Sequence, residues 1–219
     1  MLRTVSIVFQ VLTYVDIIFF LILTVFLLFN LKRLPWELKI FSFFVSIVFA
    51  INALSLGLAK FSIPNTPLFH LLFFVQIIWF VIHYFLVLKE WVYNKSILIF
   101  SGGFLGLSIW KYATDWVEVT NKIGGLYYFI STVFFVVFAV LFYVLMLMGK
   151  ITPKYQLINA AILIYYSCSS VIFLFSKYYY LEGFEGQMIL WVFNIILHML
   201  FVLLIFVDVW RTLHPRPKT

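Results

Sequence analysis

The sequence predicts an all-α, polytopic integral membrane protein with seven transmembrane helices, its N-terminus outside and its C-terminus cytoplasmic. Seven apolar stretches of about twenty residues follow one another, each able to cross a hydrocarbon core of ~30 Å at ~1.5 Å per residue. The composition is 65% hydrophobic, 22% aromatic and only 11% charged, against ~25% charged in a soluble domain. Runs such as Ile17 to Phe29 are apolar at nearly every position, whereas a barrel strand would alternate apolar and polar residues.

The predicted spans are Ser6 to Asn30, Ile40 to Ala59, Pro67 to Leu88, Ser96 to Tyr112, Leu126 to Met148, Leu157 to Ser176 and Gln187 to Val207. Together they make one domain over residues 1–219, ending in a short basic tail at 211–219. The first span is too long for a signal-peptide core, and Lys32 and Arg33 follow it instead of a small-residue cleavage site, so it is expected to remain in the mature chain. The fourth span is the shortest and carries Gly102 and Gly106, a small-xxx-small pair suited to a tight helix contact within the bundle or in a dimer. Lys111 to Lys122 forms the longest loop, and Tyr178, Tyr179 and Tyr180 with Glu182 and Glu185 form a second outer loop. In the tail, Pro215 and Pro217 discourage helix, so Arg211 to Thr219 is expected to be extended. These connections leave no room for a soluble catalytic domain, and any output must pass through helices, loops or a partner.

Charge sets the expected orientation, because cationic residues flanking spans are retained in the cytoplasm. One set of alternate loops holds Lys32, Arg33, Lys39, Lys89, Lys95, Lys150, Lys154, Arg211, Arg216 and Lys218. The other holds Arg3, Lys60, Lys111, Lys122 and Lys177, together with Asp115, Glu118, Glu182 and Glu185. The first set is therefore assigned to the inside. The net charge of +7 follows the span ends and forms no basic arm, which points to anionic lipid and topology and away from nucleic acid. Trp36, Trp91, Trp110, Trp116 and Trp210 stand near span ends, where indole rings anchor at the interface.

Polar residues inside spans carry the functional information, since each is costly in hydrocarbon unless it faces the bundle interior or water. Asp16 is the one acid well inside a predicted span and shares a face with Thr13, Phe20 and Thr24. Its carboxyl group is expected to be protonated, paired with a histidine, or open to a cavity, where it would meet a cationic ligand or carry a proton. Gln76 and His83 recur on one face of the third span, with His70 off it. In the last span Gln187, Trp191, Asn194 and His198 form a stripe at steps of four, three and four. An outward-opening hydrated pocket with Asp16, Asn52, Gln76, His83, Tyr165, Asn194 and His198 as ligand-binding residues accounts for this placement. Interhelical hydrogen bonds alone are the plainer explanation of each member.

Catalytic and metal chemistry find little support. The single cysteine, Cys168, excludes an internal disulfide or a multi-cysteine metal site, and no base accompanies it in sequence for nucleophilic work. His70 and His83 are thirteen residues apart, about 20 Å along a helix, and cannot ligate one iron. A haem between His83 and His198 is conceivable, but histidines satisfied within the bundle are favoured, and no cofactor or metal is expected. The run Tyr165, Tyr166, Ser167, Cys168, Ser169 and Ser170 permits close helix approach, its hydroxyls returning to their own backbone or flooring the pocket.

Several seven-helix functions require residues that are missing. A retinal protein needs a lysine in the last span, and Gln187 to Val207 contains none. There is no Pro-Gln pair of the sugar-transporter kind, no Gly-x-Ser-Gly for rhomboid-type proteolysis, and no evident internal repeat.

Asn159, Tyr165, Tyr166, Ser167, Phe173, Leu174, Phe175 and Ser176, followed by Trp191, Asn194 and His198, resemble the last two helices of small bacterial seven-helix membrane proteins of sensor or accessory type. The resemblance covers about a quarter of the chain and transfers no catalytic residue. It implies a sensor or accessory signalling subunit of the bacterial cytoplasmic membrane. Such a protein would bind a small or lipidic ligand and signal to a cytoplasmic or membrane partner through the basic inner loops and tail, as a monomer or homo-oligomer. The alternative expectation is a transporter or oligomeric ion- or proton-conducting pore.

Overall fold

The computed structural model describes residues 2–63, 65–88, 99, 102–103, 105–107, 109–110, 114, 125–152, 154–182 and 184–215. Six long helices stand among them: α1 (Leu2–Phe29), α2 (Trp36–Lys60), α3 (Thr66–Val87), α4 (Gly125–Leu147), α5 (Gln156–Glu182) and α6 (Phe184–Leu213). No strand occurs among the described residues. Five stretches are long and apolar enough to cross a membrane, and Gln156–Ile172 is a shorter apolar helical stretch. The chain is thus an all-α polytopic membrane protein. The predicted fourth span and the Lys111 to Lys122 loop fall largely outside the described residues, as do Trp91 and Trp116.

The helix ends follow from local chemistry. α2 starts after Pro35, whose fixed φ of −63° suits the residue before a helix. It stops where Ser62 takes a left-handed φ of 57°, with Ser62 N–H on the Ala59 carbonyl and Ile63 N–H on the Leu58 carbonyl. α4 stops in the same way at Gly149 (φ 68°), where Gly149 N–H meets Met146 O and Lys150 N–H meets Leu145 O. This paired pattern satisfies carbonyls that a helix end otherwise leaves open, and glycine adopts it without a Cβ clash. Asn65 ties the turn between α2 and α3 back to α2 by donating to Ser55 Oγ at 2.8 Å.

Two expectations are corrected. The residues assigned to a second outer loop are helical, because α5 runs to Glu182 and α6 resumes at Phe184. No proline interrupts this stretch, and its Leu, Lys and Glu are good helix formers. At the other end α6 continues through Arg211 to Leu213, stopping ahead of Pro215, which disfavours helix in the preceding residue. A Cβ built at Gly102 or Gly106 meets nothing within 4 Å, so the small-residue pair makes no close contact among the described residues, and its contact in a dimer stays an expectation.

The helices stand in chain order around the bundle, α1 packing on both α2 and α6, α5 between α4 and α6, and α3 meeting α4 more lightly. Aromatic rings fill the seams. Phe44 stacks on Trp79 at 4.4 Å between ring centroids, Phe80 on Phe135 at 3.7 Å, and Phe26 against Phe206 at 4.7 Å. Ile18, Ile22, Phe43, Ile47, Val137, Phe193 and Leu203 are exposed on the outside, while Thr24, Ser42, Thr132, Asn159 and Ser169 are buried. An apolar exterior over a partly polar interior is the arrangement for which lipid is the solvent.

Asp208 joins two helices at one end of the bundle. Its Oδ2 accepts the Ile158 N–H at 3.0 Å, one of the first-turn donors of α5 that has no partner within its own helix. Replacing Asp208 with alanine is expected to lower stability by about 1–2 kcal/mol, with asparagine retaining part of the cap. Thermal unfolding in detergent measures it.

Candidate functional site

Asp16 and His198 meet at mid-depth, with about 20 Å of helix to either side along α1 and α6. His198 Nδ1 lies 2.8 Å from Asp16 Oδ1 and 2.9 Å from Oδ2. A carboxylate only accepts hydrogen bonds, so the ionised acid receives one Nδ1–H shared between both oxygens. If the acid carries the proton, its O–H donates to Nδ1. Each side chain is 16% exposed, which leaves the pair within reach of a molecule at the bundle surface without bathing it in solvent.

Aromatic rings surround the imidazole. Phe20 meets it edge-on at 5.3 Å, Tyr165 at 5.5 Å, and Phe201 stacks at 6.0 Å. Phe20 lies one turn beyond Asp16 on α1, and Phe201 lies three residues beyond His198 on α6. The i, i+3 and i+4 relations therefore place both next to the pair. The two threonines on the Asp16 face do not join it. Thr13 donates to Phe9 O and Thr24 to Phe20 O, each at 2.8 Å within α1.

The α6 stripe uses successive members on different neighbours. His198 reaches α1, and one turn earlier the Asn194 Oδ1 accepts the Ser169 hydroxyl of α5 at 2.8 Å. Ser169 is fully buried and Asn194 nearly so. Ser170 bonds instead to Ser167 O in its own helix. The hydroxyl run thus divides into one interhelical bond and local back-bonding, and Cys168 is a free thiol beside it.

The sequence-predicted residues do not all gather at one place. Asp16, Tyr165 and His198 come together, with Asn194 one turn along α6. Gln76 and His83 are buried on α3, where His83 stacks on Trp79 at 4.9 Å. A run of ring contacts leads from α3 to His198, with Phe80 against Tyr166 at 5.0 Å, Tyr166 against Tyr165 at 4.9 Å and Tyr165 against His198 at 5.5 Å. Asn52 is half-buried on α2. Among the described residues no group of three or more His, Cys, Asp or Glu side chains is placed to hold a metal ion.

Asp208 was not a sequence candidate because it follows the last predicted span. The signal was present nonetheless: the stripe through Gln187, Trp191, Asn194 and His198 continues at steps of three or four through Phe201 and Ile205 to Asp208. Near it, Tyr155 occupies a left-handed backbone conformation, φ 59°, which is unusual for a bulky residue. Burial, reinforced by the Glu37 and Asp208 carboxylates, pushes its phenol up to about 12, so it stays neutral at physiological pH.

The two buried serines give a direct comparison. Ser169→Ala is expected to cost about 0.5–1.5 kcal/mol by leaving Asn194 without its α5 partner, while Ser170→Ala changes stability by less than ~0.5 kcal/mol. Reversible unfolding of each variant measures the difference. No protein-family model matches this chain, and neither curated proteins nor solved structures give a significant match.

Proposed function

We propose that this chain is a membrane-embedded sensor in which the Asp16–His198 pair is the contact that a ligand breaks. The observation that supports it is a carboxylate and an imidazole joining the first and last described helices at mid-depth, partly accessible and ringed by Phe20, Tyr165 and Phe201. A carboxylate beside aromatic faces is suited to a cationic head group, which gains both Coulomb and ring-quadrupole attraction. An amphiphilic cation would take the Asp16 carboxylate from His198 and leave its apolar chain among the surrounding rings or lipid.

The consequence is a changed α1–α6 seam. Along that seam Phe26 packs on Phe206 and Trp210, next to Arg211 and the Asp208 cap on α5. In this reading that basic end, with Lys32, Arg33, Lys150 and Lys154, faces the cytoplasm of a bacterial cell and reports to a partner. The positive-inside rule supports the orientation.

A second reading, an ion- or proton-conducting path, is favoured by the further buried polar groups on α3 and α5. Dodecyltrimethylammonium, with dodecanol as the uncharged control, tests the first reading on protein in nanodiscs. The cation is expected to raise Tm saturably in the wild type and not in Asp16→Asn, while dodecanol affects both alike. Equal response of the two proteins to the cation contradicts the assignment. Proton flux into vesicles that Asp16→Asn abolishes would replace the sensor with the conducting path.

A further inference from the structure

Past the Asp16–His198 pair, α1 and α6 run in parallel toward the basic end, and a ladder of rings marks their seam. Phe206, Trp210 and His214 recur at steps of four on α6 and share one face. Phe206 and Trp210 stack at 6.2 Å, and Trp210 and His214 at 4.3 Å. From α1, Phe26 lies against Phe206 at 4.7 Å and over Trp210 at 5.9 Å. Trp210 is 48% exposed and Phe29, three residues beyond Phe26, is 85% exposed. The ladder therefore opens on the outer surface of the bundle.

Cations gather where it ends. One turn past Phe26, Asn30 Nδ2 donates to Phe26 O at 2.9 Å, and the chain turns there through Arg33 N–H and Leu34 N–H on Asn30 O. That turn buries Leu34 and leaves Lys32 and Arg33 exposed. On α6 Arg211 follows Trp210 and is also exposed. Since Phe26 touches Trp210, the cations of the two helices stand at about the same level. Among the described residues Lys32, Arg33 and Arg211 form no ion pair. The acids of this end are engaged elsewhere: Asp208 is buried and accepts the Ile158 N–H, and Glu37 lies near Tyr155. The negative pole of α6 is partly covered too. Thr212 Oγ1 donates to Asp208 O at 2.9 Å, and His214 Nδ1–H to Trp210 O at 3.2 Å.

This chemistry selects the occupant. Exposed cations without a counter-ion take an anion, and the aromatic surface leading from them into the depth of the membrane takes an apolar chain. A free phosphate or an acidic peptide satisfies only the first requirement. A phospholipid of net negative charge meets both in one molecule, with Trp210 at the junction of head and chain, where indole rings prefer to lie. We propose that the basic end of the α1–α6 seam is a binding site for an anionic phospholipid. Lys32, Arg33 and Arg211 take its phosphate, and an acyl chain runs along Phe29, Phe206 and Trp210. The site does not depend on what Asp16 binds.

Brominated lipids quench an indole that they touch, so they read the site directly. Wild-type protein and Trp210→Phe are reconstituted in phosphatidylcholine containing increasing brominated phosphatidylglycerol or brominated phosphatidylcholine, and the difference between the two proteins gives the quenching at Trp210. Phosphatidylglycerol is expected to reach half-quenching at a mole fraction about fivefold lower than phosphatidylcholine. Joint Lys32→Gln, Arg33→Gln and Arg211→Gln substitution removes this preference, whereas joint Lys150→Gln and Lys154→Gln substitution retains it. Equal quenching of the wild type by the two lipids overturns the proposal. Loss of the preference in both charge variants alike also overturns it, because the attraction is then the general surface potential. Displacement of brominated phosphatidylglycerol by millimolar inorganic phosphate does the same by making the occupant a free anion.

Discussion

A carboxyl group in the middle of a helix whose outer face meets lipid must be satisfied within the bundle, because hydrocarbon neither solvates charge nor offers hydrogen bonds. Asp16 is in that position, and His198 of α6 satisfies both of its oxygens. Much of the arrangement follows from this requirement. For the two side chains to meet, α1 must lie against α6, which brings the first and last described helices together. The rotation of α6 that aims His198 at α1 also turns Asn194 toward Ser169 of α5. Continued along the same stripe, it brings Asp208 to the start of α5. Three polar contacts therefore fix one helix against two neighbours in depth and rotation, a specificity that apolar packing against lipid-like side chains does not provide.

Aromatic packing supplies the rest. Without a hydrophobic drive between helices inside a bilayer, association rests on close contact and oriented polar bonds. The Phe41, Phe44 and Trp79 cluster holds α2 to α3, and Phe80 carries the packing on to Phe135 and Tyr166. The run of rings continues through Tyr165 to His198. The Asp16 pair lies on the α1–α6 side. His83 and Asn159 lie on the α3–α5 side, nearer the basic end. A division of this kind permits one region to change its contacts while the other stays packed.

The all-α, membrane-spanning character was legible from the apolar runs alone, since nothing but a helix tolerates such runs in lipid. Element ends were less legible. Extension of α5 to Glu182 and of α6 to Leu213 depends on helix propensity beyond the apolar stretch, which hydropathy does not register. Pairing of Asp16 with a histidine was one of three expected states, and the α6 stripe identified His198 and Asn194 as inward-facing. Which helix each would meet was not in the sequence, because neighbour order in a bundle is a tertiary property. The same holds for His83: it is buried on α3 with Gln76, but its opposite number is Asn159, which the sequence marks only through the resemblance and not as a site residue. Asp208 lies one residue past the apolar run, on the same stripe as His198, Phe201 and Ile205, so helical periodicity marks it where hydropathy does not.

A double-mutant cycle on Asp16→Asn and His198→Leu, read by reversible unfolding in a membrane mimic, tests the central claim most directly. If the pair joins α1 to α6 as described, the two substitutions are strongly non-additive. The expected coupling is about 1–2 kcal/mol, above the ~0.6 kcal/mol typical of interhelical bonds in a membrane, because one partner is ionisable. Additivity within ~0.3 kcal/mol would contradict the account, since it would mean that neither side chain depends on the other for its place in the bundle.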